Sequence, residues 1–175
     1  MVRRRTTVRA TMRRMYLDAL EFLEEERDAW APYEALAALD DAALEQPVAG
    51  AHGWSGRDLM AHLIAWQTVA LDAARDLAVN ETSGTFARVD ADWEARGGDV
   101  VNDELTATWA ARPMDELRAA FATQPGELRG YLTVVPETRW LKHPGNLRSF
   151  HDETIAHYEE HLGDLRAILE AASPG

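Results

Sequence analysis

The chain has no cysteine among its 175 residues. That absence removes structural disulfides, thiolate metal sites, iron–sulfur clusters and a cysteine nucleophile, and it leaves histidine and carboxylate as the strong metal ligands. No stretch approaches the roughly 20 consecutive apolar residues that cross a bilayer, so a soluble protein, most simply a cytoplasmic one, is expected. No segment alternates apolar and polar residues with β-branched enrichment as a half-buried strand does. A glycine-rich phosphate loop behind a strand, a Gly-x-Ser-x-Gly elbow, an internal repeat and a low-complexity tract are missing as well, which excludes the chemistries those motifs carry.

Cations are scarce and badly distributed. The formal charge is −12, yet the first fourteen residues hold Arg3, Arg4, Arg5, Arg9, Arg13 and Arg14 with no acid, which leaves −18 on the rest. A body this acidic repels a phosphate backbone, so nucleic acid is excluded as a partner outside the arginine-rich end. Twin arginines can open an export signal, but no apolar stretch of roughly 7–15 residues follows them here. Residues 1–10 read as a frayed basic arm and 11–172 as one domain, a length that buries roughly 70% of the unfolded surface.

What is present is helical period. From Thr11 to Trp30 the residues Met12, Met15, Tyr16, Ala19, Leu20, Phe22 and Leu23 recur at steps of three and four, until Pro32 disturbs the pattern. Leu36 to Leu44 reads as short helical turns, and Gln46 to Gly53 as a connection. Ser55 and Asp58 have capping-box spacing, starting a second helix near Gly56 that runs to about Ala78. A short helix over Phe86–Ala95 ends at Gly97-Gly98, and Asp99 can cap the next, which holds Val101, Leu105 and Trp109. A third long helix starts at Pro113 with Pro125 as its kink, and the last runs from about Ser149 to Ala172. The fold class is all-α: a four-helix bundle with an elaborated crossover between its second and third long helices.

Six histidines carry what chemistry there is. His157 and His161 are four apart on one helical face, as two ligands of one metal require, and they lie in the inward row Phe150, Thr154, His157, His161, Leu165, Ile168. His62 sits in the apolar stripe of the second helix, with Trp66 one turn on. A buried imidazole without a partner costs about 1–3 kcal/mol, so three of them on two helices can satisfy one another through a metal. Each is equally accommodated as a neutral core histidine bonded to a carbonyl or carboxylate.

The phrase Gly53-Trp54-Ser55-Gly56-Arg57-Asp58-Leu59-Met60-Ala61-His62-Leu63-Ile64-Ala65-Trp66, with the later His157-Tyr158-Glu159-Glu160-His161, resembles the DinB/YfiT-like superfamily. Val101-Asn102-Asp103-Glu104-Leu105 and the tail running from Tyr158 to Arg166 look like its ClbS/DfsB branch. The resemblance implies an up-down-down-up bundle with a three-ligand metal site whose positions match His62, His157 and His161. It implies a divalent cation, with Zn, Ni or Fe the most plausible, and an external low-molecular-weight thiol as a possible cosubstrate. The implied activity is that of a hydrolase or thiol-dependent transferase acting on a reactive small organic molecule, with a non-catalytic sequestering bundle as the alternative. A homodimer is a further possibility.

Around that site Trp66, Trp140 and Tyr158 are candidates for a substrate pocket. Tryptophans at helical spacing also serve as core. Glu153, one turn before His157, is placed to orient it. His143 and His151 flank a turn where an anionic ligand could dock, and His52 reads as a surface residue. The run Glu24-Glu25-Glu26 reads as a solvated helix face.

Overall fold

A computed structural model describes residues 16–173. The basic arm and the start of the first helix at Thr11 therefore lie outside the described residues. Within them the secondary structure is helical throughout, without strands: α1 Ala19–Trp30, α2 Asp41–Leu44, α3 Gly56–Val79, α4 Gly84–Arg96, α5 Gly98–Ala110, α6 Met114–Val134, α7 Pro144–Glu153 and α8 Ile155–Ala172, with 3-10 turns at Ala31–Ala38, Ala49–Ala51 and Glu137–Arg139.

The capping box at α3 forms as its spacing predicts. Ser55 accepts from the Asp58 N–H while Asp58 accepts from the Ser55 N–H, so two orphan donors of the first turn are satisfied reciprocally. Elsewhere caps move the boundaries. Asp18 caps α1 by accepting from the Glu21 N–H, so Tyr16 and Leu17 precede that helix, and Leu20, expected to face inward, is largely exposed. The cap of α5 is Gly97, at φ +86°, with Asp99 inside the first turn. Pro125 lies within an unbroken α6.

The last helix departs most from expectation. It starts five residues early, at Pro144, because His143 caps it by accepting from the Asn146 N–H. It then breaks at Thr154, whose backbone leaves the helical region and whose hydroxyl donates to the Phe150 carbonyl at 2.6 Å. α7 and α8 are thus separate helices.

The interior has three layers. One apolar cluster holds Phe22, Leu77, Phe86, Leu132, Trp140, Phe150 and Ile155. The other holds Trp30, Tyr33, Leu59, Leu63, Phe121, Leu165 and Ile168. α1 and α8 run from the first cluster to the second, and α3 and α6 run the other way. Between them lies a polar layer. Arg129 donates to Glu26 at 2.7 Å, Tyr158 Oη donates to Glu26 at 3.1 Å, and Gln67 donates to Tyr158 Oη at 2.7 Å. Gln124 donates to the Ile64 carbonyl at 2.9 Å, and Trp109 Nε1 to Thr68 at 3.1 Å. This corrects the reading of Glu26 as solvated: it is fully buried. Burial pushes its carboxyl up, and the Arg129 guanidinium and the Tyr158 hydroxyl pull it back.

Candidate metal centre

α3 carries His62 in its second turn, and α8 carries His157 in its first turn and His161 in the next. The three rings form one cluster, with centroids 4.8 Å apart for His62–His157 and His62–His161, and 5.0 Å for His157–His161. One donor nitrogen from each lies within 4.8 Å of the other two, and His62 Nε2 is 2.8 Å from His157 Nε2.

The outward nitrogens decide what the inward ones do. His161 Nδ1 is 2.8 Å from Asp164 Oδ2, a carboxylate buried beside it. An ionised carboxylate only accepts, so His161 bears a proton on Nδ1 and Nε2 is the nitrogen it can offer as a ligand. His62 Nδ1 is 3.1 Å from the Thr106 hydroxyl of α5. His157 Nδ1 is closed off from solvent with no hydrogen-bond partner.

Burial disfavours the charged forms of His62 and His157. The His62 imidazole is pushed down to about 3, first by desolvation and then by the neighbouring His161. His157 is lowered well below its ordinary value by desolvation, then by His62 and His161. Neutral imidazole is the form that ligates.

Tryptophans wall the cluster. Trp54 stacks on His161, with centroids 5.5 Å apart and planes 20° from parallel, and tilts over His62 at 5.0 Å. Trp66 meets His157 edge-on at 6.1 Å and Trp93 at 6.0 Å, and its Nε1 donates to Asn102 at 2.8 Å. Trp66 is therefore beside the histidines. Trp140 and Tyr158 are not. Trp140 is fully buried, edge-on to Phe22 and Phe150. Tyr158 points into the polar layer, because on α8 it lies about 100° around from His157. Glu153 does not bond His157 Nδ1, which has no partner; the break at Thr154 separates their helices. The carboxylate that orients a histidine is Asp164 instead, and the i,i+3 spacing from His161 was the signal for it. Thr106 carried no such signal, since nothing in the sequence brings α5 against α3. His143 serves as a helix cap, and His151 lies 3.8 Å from Asp152.

The donor set fits a divalent cation. Tetrahedral ligation with Zn–N bonds of about 2.0–2.1 Å puts donor nitrogens roughly 3.3 Å apart, between the 2.8 Å of the closest pair and the 4.8 Å limit for all three. Small side-chain rotations close that difference. Three imidazoles also leave a fourth position free, as catalytic sites do.

The family model of the mycothiol maleylpyruvate isomerase N-terminal domain matches residues 23–158. The chain belongs to that family. The mycothiol maleylpyruvate isomerase N-terminal domain is one of the DinB-like superfamily, whose members bind divalent metal and include metal-dependent enzymes of mycothiol-related chemistry. The match covers His62 and His157 and stops three residues before His161. No curated protein and no solved structure matches the chain.

Proposed function

We propose that the chain is a metal-dependent enzyme in which His62, His157 and His161 hold a divalent cation, and that it transfers a low-molecular-weight thiol onto a reactive small organic molecule. The observation that carries this reading is the clustering of three imidazoles with donor nitrogens within 4.8 Å of one another, with Asp164 fixing the ring of His161 through its Nδ1. The family supports the choice of thiol chemistry, since its description names mycothiol. A chain without cysteine must receive its thiol from outside. A bound divalent cation lowers the pKa of a coordinated thiol or water and polarises an electrophile.

The chain's own residues do the rest. Trp54 and Trp66 present ring faces and edges against the histidines and exclude water on that side. Asp164 keeps His161 in one tautomer and one orientation. The opposed directions of α1 with α8 and α3 with α6 support the reading of an up-down-down-up bundle, with α4 and α5 as the elaborated crossover. Residues 11–172 are read as one domain, residing in the cytoplasm and acting on a small molecule, as a monomer or homodimer. The ClbS/DfsB likeness of Val101–Leu105 and of the tail from Tyr158 to Arg166 favours a second reading, hydrolysis of the same class of electrophile.

The test has two parts. Protein purified without added metal is expected to contain about one Zn, Ni or Fe per chain, and a His62→Ala, His157→Ala, His161→Ala triple variant none. Incubation with electrophiles is expected to give more than one product per protein, with mycothiol for the transferase or without it for the hydrolase. Metal-free protein that also fails to bind these ions, with the triple variant unchanged, would sink the metal reading. Stoichiometric capture without turnover would leave only sequestration.

A further inference from the structure

The crossover helix α5 reaches the centre through one side chain. Thr106 Oγ1 lies 3.1 Å from His62 Nδ1, and one turn earlier Asn102 accepts from Trp66 Nε1 at 2.8 Å. α5 is thereby pinned along the His62–Trp66 face of α3. Other helical threonines direct their hydroxyls to the carbonyl one turn back: Thr68 to Ile64, Thr108 to Glu104 and Thr123 to Ala119. Thr106 does not. Among the described residues its hydroxyl has His62 as its partner.

A hydroxyl differs from a carboxylate in that it both donates and accepts. Asp164 therefore locks His161, whereas Thr106 leaves His62 free to choose. The choice matters because His62 Nε2 and His157 Nε2 are 2.8 Å apart. Two nitrogens at that distance attract only if one of them bears the proton. When His62 bears it, His62 Nδ1 has a lone pair and the Thr106 hydroxyl donates to it. When a cation takes both Nε2 lone pairs, the His62 proton sits on Nδ1 and the hydroxyl turns to accept. His62 stays neutral in both states, no proton leaves the ring overall, and Nδ1 is paired in each.

We propose that Thr106 is a positioning residue that lets His62 exchange tautomers, one serving the cation-free His62–His157 pair and the other presenting the Nε2 lone pair to the metal. This rests on the reading of the three histidines as a metal centre. It assigns to the crossover between the second and third long helices a part in the site, and to a neutral hydroxyl the task that a carboxylate performs at His161.

The experiment compares Thr106→Val, which keeps the shape without the hydroxyl, with Thr106→Ser, which keeps the hydroxyl. Full-length protein stripped with chelator is titrated with Zn(II) and Co(II) in chelator competition, and ring nitrogens are followed by ¹⁵N NMR. Removing an outer hydrogen-bond partner of a ligating histidine lowers metal affinity by about 10–100-fold. Thr106→Val is expected at the low end of that range, and Thr106→Ser is expected to restore affinity. In the metal-free Val variant the His62 nitrogens should report a fixed Nε2–H tautomer, which wild-type protein leaves for Nδ1–H on adding zinc. Wild-type affinity in the Val variant, failure of serine to restore it, or an unchanged tautomer in all three proteins would overturn the assignment to Thr106. Wild-type protein that binds neither ion would overturn the metal centre itself.

Discussion

At the scale of single residues, what distinguishes this interior is how it treats ionisable groups. His62 and His157 are held neutral by burial, and Glu26 is held by Arg129 and Tyr158 in the polar layer. A consequence for pH follows for the metal-free protein. The His62 pKa is about 3 when folded, against an ordinary 6.5, so between those values the unfolded chain binds the extra proton and stability falls as pH falls. The slope is about 1.4 kcal/mol per pH unit for each such histidine. Urea unfolding of chelator-stripped protein at pH 7.5 and pH 5 should show that loss, and a His62→Gln variant should show a smaller one. The histidines were legible in the sequence because spacing and an inward stripe are local signals. Glu26 was not: one acid in a run of three looks solvated until Arg129, 103 residues away, is brought beside it.

At the scale of elements, capping residues read correctly where the signal is local and fail where a tertiary contact competes. Ser55 fixed the start of α3 to the residue. The break between α7 and α8 was invisible, since Thr154 continues the inward row in sequence while its hydroxyl and backbone leave the helix in space. The junction of α4 and α5 yields a prediction. A Cβ on Gly98 would lie 2.2 Å from Trp93 Cζ2, and Trp93 packs edge-on against Trp66. Gly98→Ala must push the indole aside, an overpacking that costs about 1–3 kcal/mol. Thermal unfolding should register the loss, and tryptophan fluorescence should shift as Trp93 leaves Trp66. An unchanged spectrum and midpoint would mean that this contact does not hold the two helices together.

At the scale of the whole molecule, the histidines join α3 to α8, and Thr106 adds α5. A cation held there links elements far apart in sequence and binds only the folded chain. Such a ligand at a hundredfold excess over its Kd stabilises by about 2.7 kcal/mol. For a chain of this size that raises Tm by roughly 5–10 °C. Scanning calorimetry with zinc, and again after chelator, should show the rise and its reversal; a His157→Ala variant should show neither. The sequence disclosed most of the helices and the apolar stripes that they turn inward. It did not disclose the polar layer, whose members, Glu26 on α1, Gln67 and Thr68 on α3, Trp109 on α5, Gln124 and Arg129 on α6 and Tyr158 on α8, follow no pattern along the chain.

The connection before α3 packs tightly on the last helix. A Cβ placed on Gly50 would lie 3.1 Å from Ala167 Cβ, close to the 3.5–4.5 Å or so that separates the Cβ atoms of a disulfide. Because the native chain contains no other thiol, cysteines introduced at those two positions would have only each other to pair with. The segment that carries Trp54 over the histidines could then be tethered or released by redox potential alone, without altering any residue at the centre.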